Sequence, residues 1–216
     1  MMDKIGNLFL LGDSYSTFEG YMPEGHVSWY SSHYDDETNP PTDVNKVEQT
    51  WWHQFVDETQ TNLLLNSSYS GTTICHTGYG GADCSDTSFI ARVDKLIKEN
   101  YFTQNQIDTC IVFGGTNDCW ADSPIGEIQY DNWEKKDLYF VLPAFCYLLH
   151  RLKEYLPKTR ILVVINTELK QEITEGFEVI CEHYGVEKLK LKDIDKINSH
   201  PSILGMQQIK DQIKRY

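Results

Sequence analysis

Four short segments carry residues whose chemistry is complementary. Asp13 and Ser14 follow the apolar run Asn7–Gly12, and Ser70-Gly71 follow Asn62–Asn66. Gly115-Thr116-Asn117-Asp118 follow Thr109–Phe113, and Ser199-His200-Pro201 come after Val186–Leu191. A serine hydroxyl is a poor nucleophile until an imidazole takes its proton, and the oxyanion formed on attack at a carbonyl needs two or three fixed donors. Ser14 with His200 meets the first need. The backbone N–H groups of Ser14 and Gly71 and the side-chain amide of Asn117 meet the second. A glycine at 71 also puts no Cβ between the backbone and an approaching substrate.

These segments are far apart in sequence, so the elements between them must bring them together. The runs Asn7–Gly12, Asn62–Asn66, Thr109–Phe113, Arg160–Ile165 and Val186–Leu191 read as five buried strands, the first near-continuous rather than alternating, as a strand covered on both faces is. Helical spacing appears after Asn45 (Val47, Trp51, Trp52, Phe55, Val56), at Phe89, Val93, Leu96 and Ile97, and through Leu142–Leu156, Glu172–His183 and Ile203–Ile213. Strands alternating with helices predict an α/β fold: a three-layer α/β/α sandwich with a five-stranded parallel sheet of flavodoxin type. In such sheets ligands bind beyond the carboxyl ends of the strands, which is where all four segments fall. One domain over 1–216 is expected. Within it, about 20–46 is too long for a plain connection and reads as a binding loop, and Cys119–Asn132 has the same character.

Taken in order, Gly12-Asp13-Ser14-Tyr15-Ser16, Gly71, Gly115-Thr116-Asn117-Asp118 and His200-Pro201 resemble the SGNH, or GDSL-type, esterase and acylhydrolase family. Each block alone is weak; the ordered set, covering Leu8 to Met206, is specific. The resemblance implies an α/β/α hydrolase with Ser14 as nucleophile, His200 as base and Ser14, Gly71 and Asn117 as oxyanion hole, with no metal or organic cofactor. One position departs from the pattern. The family's aspartate three residues before the histidine is Ile197 here, and the nearest acids are Asp195 and Asp193. Either a bulged loop brings Asp195 to the imidazole, or a backbone carbonyl near Ile197 holds the ring. The second is preferred, and it implies a base with less charge stabilisation than a full triad.

The implied reaction is hydrolysis of a carboxylic ester, with a short acyl group on a carbohydrate as the favoured substrate. Tyr21, Trp29, Tyr30 and Tyr34 in the first loop, with Trp120 and Trp133 in the second, are candidates for a platform against sugar rings or the lining of an acyl pocket. Competing readings are a thioesterase or other small-ester acylhydrolase, a degenerate domain that only binds glycans, and a metal-dependent phosphoesterase built on Asp13, Asp118 and His200. The plainer roles are a helix cap for Ser14, a turn for Gly71 and structural work for Asp118.

Composition narrows the partners. A net charge of −13, from 19 Lys+Arg against 32 Asp+Glu, disfavours nucleic acid and anionic membrane surfaces as partners. No apolar run reaches the ~20 residues of a membrane helix, and Leu8–Leu11 is too short for an export signal, so a cytoplasmic location is expected. Six cysteines without a C-x-x-C pair read as reduced, mostly buried thiols, and the remaining histidines show no metal-ligand spacing.

Overall fold

Strands covered on both faces need two helical layers, and the structure supplies them. It is a computed structural model that describes residues 6–33 and 42–216. In chain order the main elements are β1 (Asn7–Gly12), α1 (Trp51–Thr59), β2 (Asn62–Asn66), α2 (Phe89–Lys98), α3 (Tyr101–Gln104) and β3 (Thr109–Gly114). They continue with α4 (Thr116–Trp120), α5 (Val141–Tyr155), β4 (Arg160–Ile165), α6 (Gln171–Tyr184), β5 (Glu187–Lys190), a small hairpin of β6 (Lys196–Ile197) and β7 (His200–Pro201), and α7 (Ile203–Arg215).

The five long strands form one sheet in the order β2-β1-β3-β4-β5, every neighbour parallel. The period-2 geometry of a strand divides the apolar side chains between the two faces. Leu8, Leu10, Ile111, Phe113, Leu162 and Val164 meet α1 and α7 through Trp51, Phe55, Met206 and Ile209. Phe9, Leu11, Cys110, Val112, Ile161 and Val163 meet α2, α5 and α6 through Val93, Phe145, Leu149 and Phe177. These two layers hold the fold together: truncating one such core leucine costs about 2–5 kcal/mol. An exposed pair such as Arg160–Glu187, at 2.7 Å with both side chains at least 40% exposed, contributes about 0–1 kcal/mol.

The element boundaries follow local chemistry. The helix expected after Asn45 begins only at Trp51, because the Thr50 hydroxyl caps it by accepting from the His53 N–H, and Val47–Gln49 form a separate 3-10 turn. Ser88 and Ser202 cap α2 and α7 in the same way. Helices α3 and α4 span under two turns, too short for a periodic apolar signal. Strand β5 is shorter than the run Val186–Leu191 and carries Lys188 and Lys190 at the sheet edge, where charge discourages further pairing. Among the described residues no helix is long and apolar enough to cross a membrane.

The chain leaves β1 for β2 on one side, and β3 returns on the other side of β1, so the switch in strand order lies between β1 and β3. Their carboxyl ends carry Ser14 and Asn117. That is the crevice in which open parallel sheets bind ligands.

Candidate active site

Ser14 sits one residue beyond β1. Gly12 is required there because a Cβ would meet the Ser68 hydroxyl at 2.5 Å and the Ser16 Cβ at 2.8 Å. The Asp13 carboxylate then accepts from the Tyr15 N–H at 3.1 Å and caps a 3-10 turn over Ser14–Ser16. This turn holds the serine at the strand end, 2% exposed, with its Oγ 2.9 Å from Nε2 of His200.

His200 is held from the other end of the sequence. The β6–β7 hairpin turns through Asn198 and Ser199, whose φ angles of 49° and 64° are those of a two-residue turn with both central residues left-handed. The turn brings the Asn198 carbonyl 3.1 Å from Nδ1 of His200. With Nδ1–H donating to that carbonyl, Nε2 is left as the acceptor for the Ser14 hydroxyl. The orienting group is thus a backbone carbonyl, from Asn198 rather than Ile197.

Asp195 does not reach the ring. Its carboxylate accepts from the Ser202 hydroxyl, its carbonyl from the Ser202 N–H at 3.1 Å, and its own N–H donates to the Gln208 side chain at 2.7 Å. It fastens the hairpin to the start of α7. Burial pushes the His200 imidazole down to about 4; the Asn198 carbonyl opposes this and Lys196 adds to it. The ring is therefore neutral at neutral pH, a state in which it can accept a proton.

The proposed donors face the same cavity, of about 630 Å³, lined by Ser14, Trp29, Ser70, Gly71, Tyr79, Asn117, Trp120 and the Asn198–His200 turn. Gly71 has φ +76°, a left-handed conformation that any side chain would strain. Asn117, in the first turn of α4, is 2% exposed. Its Oδ1 accepts from the Tyr79 hydroxyl at 2.7 Å, and its Nδ2 has no partner among the described residues. Tyr79 thus fixes which end of the amide donates.

Three ionisable side chains, Asp13, Asp118 and Arg92, are buried near one another. Asp118 accepts from the Ile74 and Cys75 N–H groups at 2.9 and 3.2 Å, tying the loop after β2 to α4. Arg92 of α2 donates to the carbonyls of Ser67 and Gly12, the latter at 3.2 Å, and to the Thr72 hydroxyl at 3.1 Å. Burial pushes the carboxyl of Asp13 up to about 7 and that of Asp118 up to about 6, and Arg92 down to about 9. These bonds give Asp118 the structural role expected of it. Among the described residues no group of three or more His, Cys, Asp or Glu side chains could hold a metal ion.

The aromatic residues of the two loops divide. Trp29 and Trp120 line the cavity, and Trp29 stacks on His200 with centroids 3.6 Å apart and planes at 8°. Tyr30 is fully buried and donates to the Pro201 carbonyl at 2.8 Å. Tyr21 packs beside Phe18 and Trp52, and Trp133 against Tyr147 and His150, so neither joins a platform at the serine. Tyr34 lies outside the described residues. Tyr79, Asn198 and Arg92 are not apparent as site residues in the sequence. A lone tyrosine within Gly78-Tyr79-Gly80-Gly81 was the available signal for the first, since such a turn has only one side chain to present.

The fold and the rim residues define a class: a three-layer α/β/α protein of the SGNH hydrolase type, with a serine and a histidine at the switch point of a parallel sheet. The family model for GDSL-like lipases and acylhydrolases matches residues 7–216, and the chain belongs to that family. Among solved structures it is similar to a candidate GDSL-like lipase from Bacteroides ovatus ATCC 8483, with 45% identity over 99% of this chain and 98% of the other and a TM-score of 0.88. Another, from Bacteroides uniformis ATCC 8492, shares 48% identity over 97% and 93% of the two chains, also with a TM-score of 0.88. An acetyl xylan esterase from the rumen bacterium Butyrivibrio proteoclasticus shares the fold at 16% identity, with a TM-score of 0.58 over 98% of this chain and 63% of that one. Comparison with curated proteins gives no match.

Proposed function

We propose that the protein is a serine esterase that removes short acyl groups, acetyl foremost, from a carbohydrate or similar small alcohol. The observation that carries this reading is the Ser14–His200 bond of 2.9 Å beside an Asn117 Nδ2 that has no partner among the described residues. In the reaction, Nε2 of His200 takes the Ser14 proton as Oγ attacks the ester carbon. The oxyanion is held by the N–H groups of Ser14 and Gly71 and by Asn117 Nδ2. The imidazolium then passes its proton to the leaving alkoxide, which leaves an acyl-Ser14. Water, deprotonated by His200, attacks the acyl carbon, and collapse of the second tetrahedral intermediate releases the acid and restores the serine.

The carbohydrate assignment rests on the aromatic walls of the cavity, Trp29, Trp120 and Tyr79, and on the shared fold of the acetyl xylan esterase. The test is labelling by a fluorophosphonate, followed by hydrolysis of nitrophenyl acetate, butyrate and octanoate beside acetylated sugars. Labelling at Ser14 and a preference for acetyl esters are expected. A protein that resists the probe and binds glycans unchanged would overturn the hydrolase reading in favour of a binding domain.

A further inference from the structure

An imidazole that relays a proton is positively charged midway through the reaction. Here the group on its Nδ1 is a neutral carbonyl, Asn198 at 3.1 Å, which orients the ring but stabilises the charge less than a carboxylate would. The charged side chain that acts on the ring, Lys196 of β6, opposes protonation; its ammonium lies 5.7 Å over the Tyr15 ring and is paired with Glu168 at 2.8 Å. The phenols facing His200 are engaged elsewhere, Tyr15 with the Ser199 carbonyl at 2.6 Å and Tyr30 with the Pro201 carbonyl at 2.8 Å. The stabilisation has to come from another source.

The indole of Trp29 lies flat on the imidazole, centroids 3.6 Å apart and planes at 8°. Two neutral aromatic rings avoid such full overlap because their negative faces repel, and they prefer offset or edge contacts. Tyr15, Trp120 and Tyr30 approach His200 in that way, inclined by 57°, 62° and 79° at 5.3–6.4 Å. A cation over the same indole face is attracted instead, more strongly where water is excluded. Full overlap therefore favours the protonated ring that exists in mid-reaction.

The backbone holds the indole to both partners. Its N–H donates to the Thr17 hydroxyl at 2.9 Å, which in turn donates to the Ser14 carbonyl at 2.9 Å, while the neighbouring Tyr30 bonds the His200 hairpin. Its own Nε1–H has no partner among the described residues, so no side-chain bond draws the ring off the stack.

We infer that Trp29 is a positioning residue whose indole face stabilises the His200 imidazolium in the transition state, in place of a third carboxylate. The inference rests on the reading of His200 as the base.

The experiment places tryptophans with one to four fluorines at position 29 alone, since each fluorine weakens the negative face of the ring and barely changes its shape. kcat on nitrophenyl acetate should fall stepwise, by about five- to thirtyfold across the series, as expected for loss of a desolvated cation–π contact. KM should move less than twofold, and the His200 pKa followed by NMR should fall in the same order. A kcat flat within twofold across the series would overturn the inference, even if Trp29→Leu were inactive, because the ring would then matter only for its shape. Ser14→Ala, assayed in parallel, separates the two readings. If it is inactive while the series is flat, only the role of Trp29 fails; if it retains activity, the assignment of Ser14 and His200 as nucleophile and base fails and this inference with it.

Discussion

Among the described residues two buried Ser–His pairs stand in different surroundings. In one, Ser14 Oγ meets His200 Nε2 at 2.9 Å; in the other, Ser88 Oγ meets His76 Nδ1 at 3.0 Å. Both serines and both histidines are under 9% exposed. The Ser88 hydroxyl also accepts from the Ala91 N–H at 3.2 Å as the cap of α2. The hydroxyl is engaged in structure by these two bonds, and neither residue lines the cavity at Ser14. His76 in turn closes a loop, its N–H donating to Leu138 at 2.9 Å and its carbonyl accepting from Cys84 at 2.7 Å. Ser14 borders a cavity with an amide donor opposite. On the proposed mechanism a short Ser–His bond is not enough; the hydroxyl must also have space for a carbonyl and donors for the charge that develops.

The contrast is broken most directly by deleting each hydroxyl. Ser14→Ala should lower ester hydrolysis by about 10⁴-fold or more, and His200→Ala by a similar factor, because either loss disables the same step. Ser88→Ala should leave kcat/KM within about twofold, as its hydroxyl serves the α2 cap and His76 rather than the cavity. A large kinetic loss in Ser88→Ala would mean that the second pair also serves the chemistry. Next in size is Asn117→Ala, expected to cost about 10²–10³ in kcat with little change in KM. A defect confined to KM would make Asn117 a substrate-binding group instead.

Asp195→Asn sharpens the account of how His200 is held. With the carboxylate on Ser202 and the ring on the Asn198 carbonyl, the variant should keep kcat/KM within about tenfold of wild type, whereas loss of a triad carboxylate costs about 10⁴. A thousandfold loss would restore Asp195 as the third member. Smaller again is the thermodynamic effect of Ser88→Ala, about 1 kcal/mol lost with the α2 cap, which denaturant unfolding would detect as a lower midpoint.

The pH dependence separates activity from stability. Only neutral His200 can act as base, so kcat/KM should hold from pH 8 to about 5 and decline as pH falls through about 4. Stability responds earlier. His200 and His76 titrate below the 6.5 of a free histidine, so below pH 6.5 the unfolded chain takes up protons at these two groups that the folded one does not, and they weaken folding. Asp13 and Asp118, pushed up by burial, act in the opposite sense over the same range, so the share of His200 is read as a difference between proteins. From pH 7 to 5 the melting temperature of wild type should fall relative to that of His200→Ala. An unchanged difference would show that His200 is not depressed in the folded state.

Much of this was legible in the sequence because it is local. The runs of β1, β3 and β4 are apolar on both faces, which only a doubly covered sheet accommodates, and α2, α5, α6 and α7 carry periodic apolar stripes. The placement of Ser14, Gly71, Asn117 and His200 after strand ends followed from the same patterns. Short elements such as α3 and α4 were not legible, since fewer than two turns give no period. The aromatic residues were legible as a group but not in their destinations. Trp29 and Trp133 stand in similar polar loops, yet one lies on the imidazole and the other on α5.

By itself, then, the sequence determined the layers, the strand ends and the residue types gathered there, because apolar periodicity and turn chemistry act over a few neighbouring residues. It also recorded that no acid stands three residues before His200. Only the tertiary structure decided what replaces that acid. The Asn198 carbonyl reaches Nδ1 through left-handed angles at Asn198 and Ser199, Asp195 is drawn to Ser202 at the start of α7, and Trp29 closes over the ring from a loop 171 positions away in the chain. Backbone carbonyls carry no side-chain identity and stacked rings no fixed spacing, so these contacts exist only once distant segments have packed.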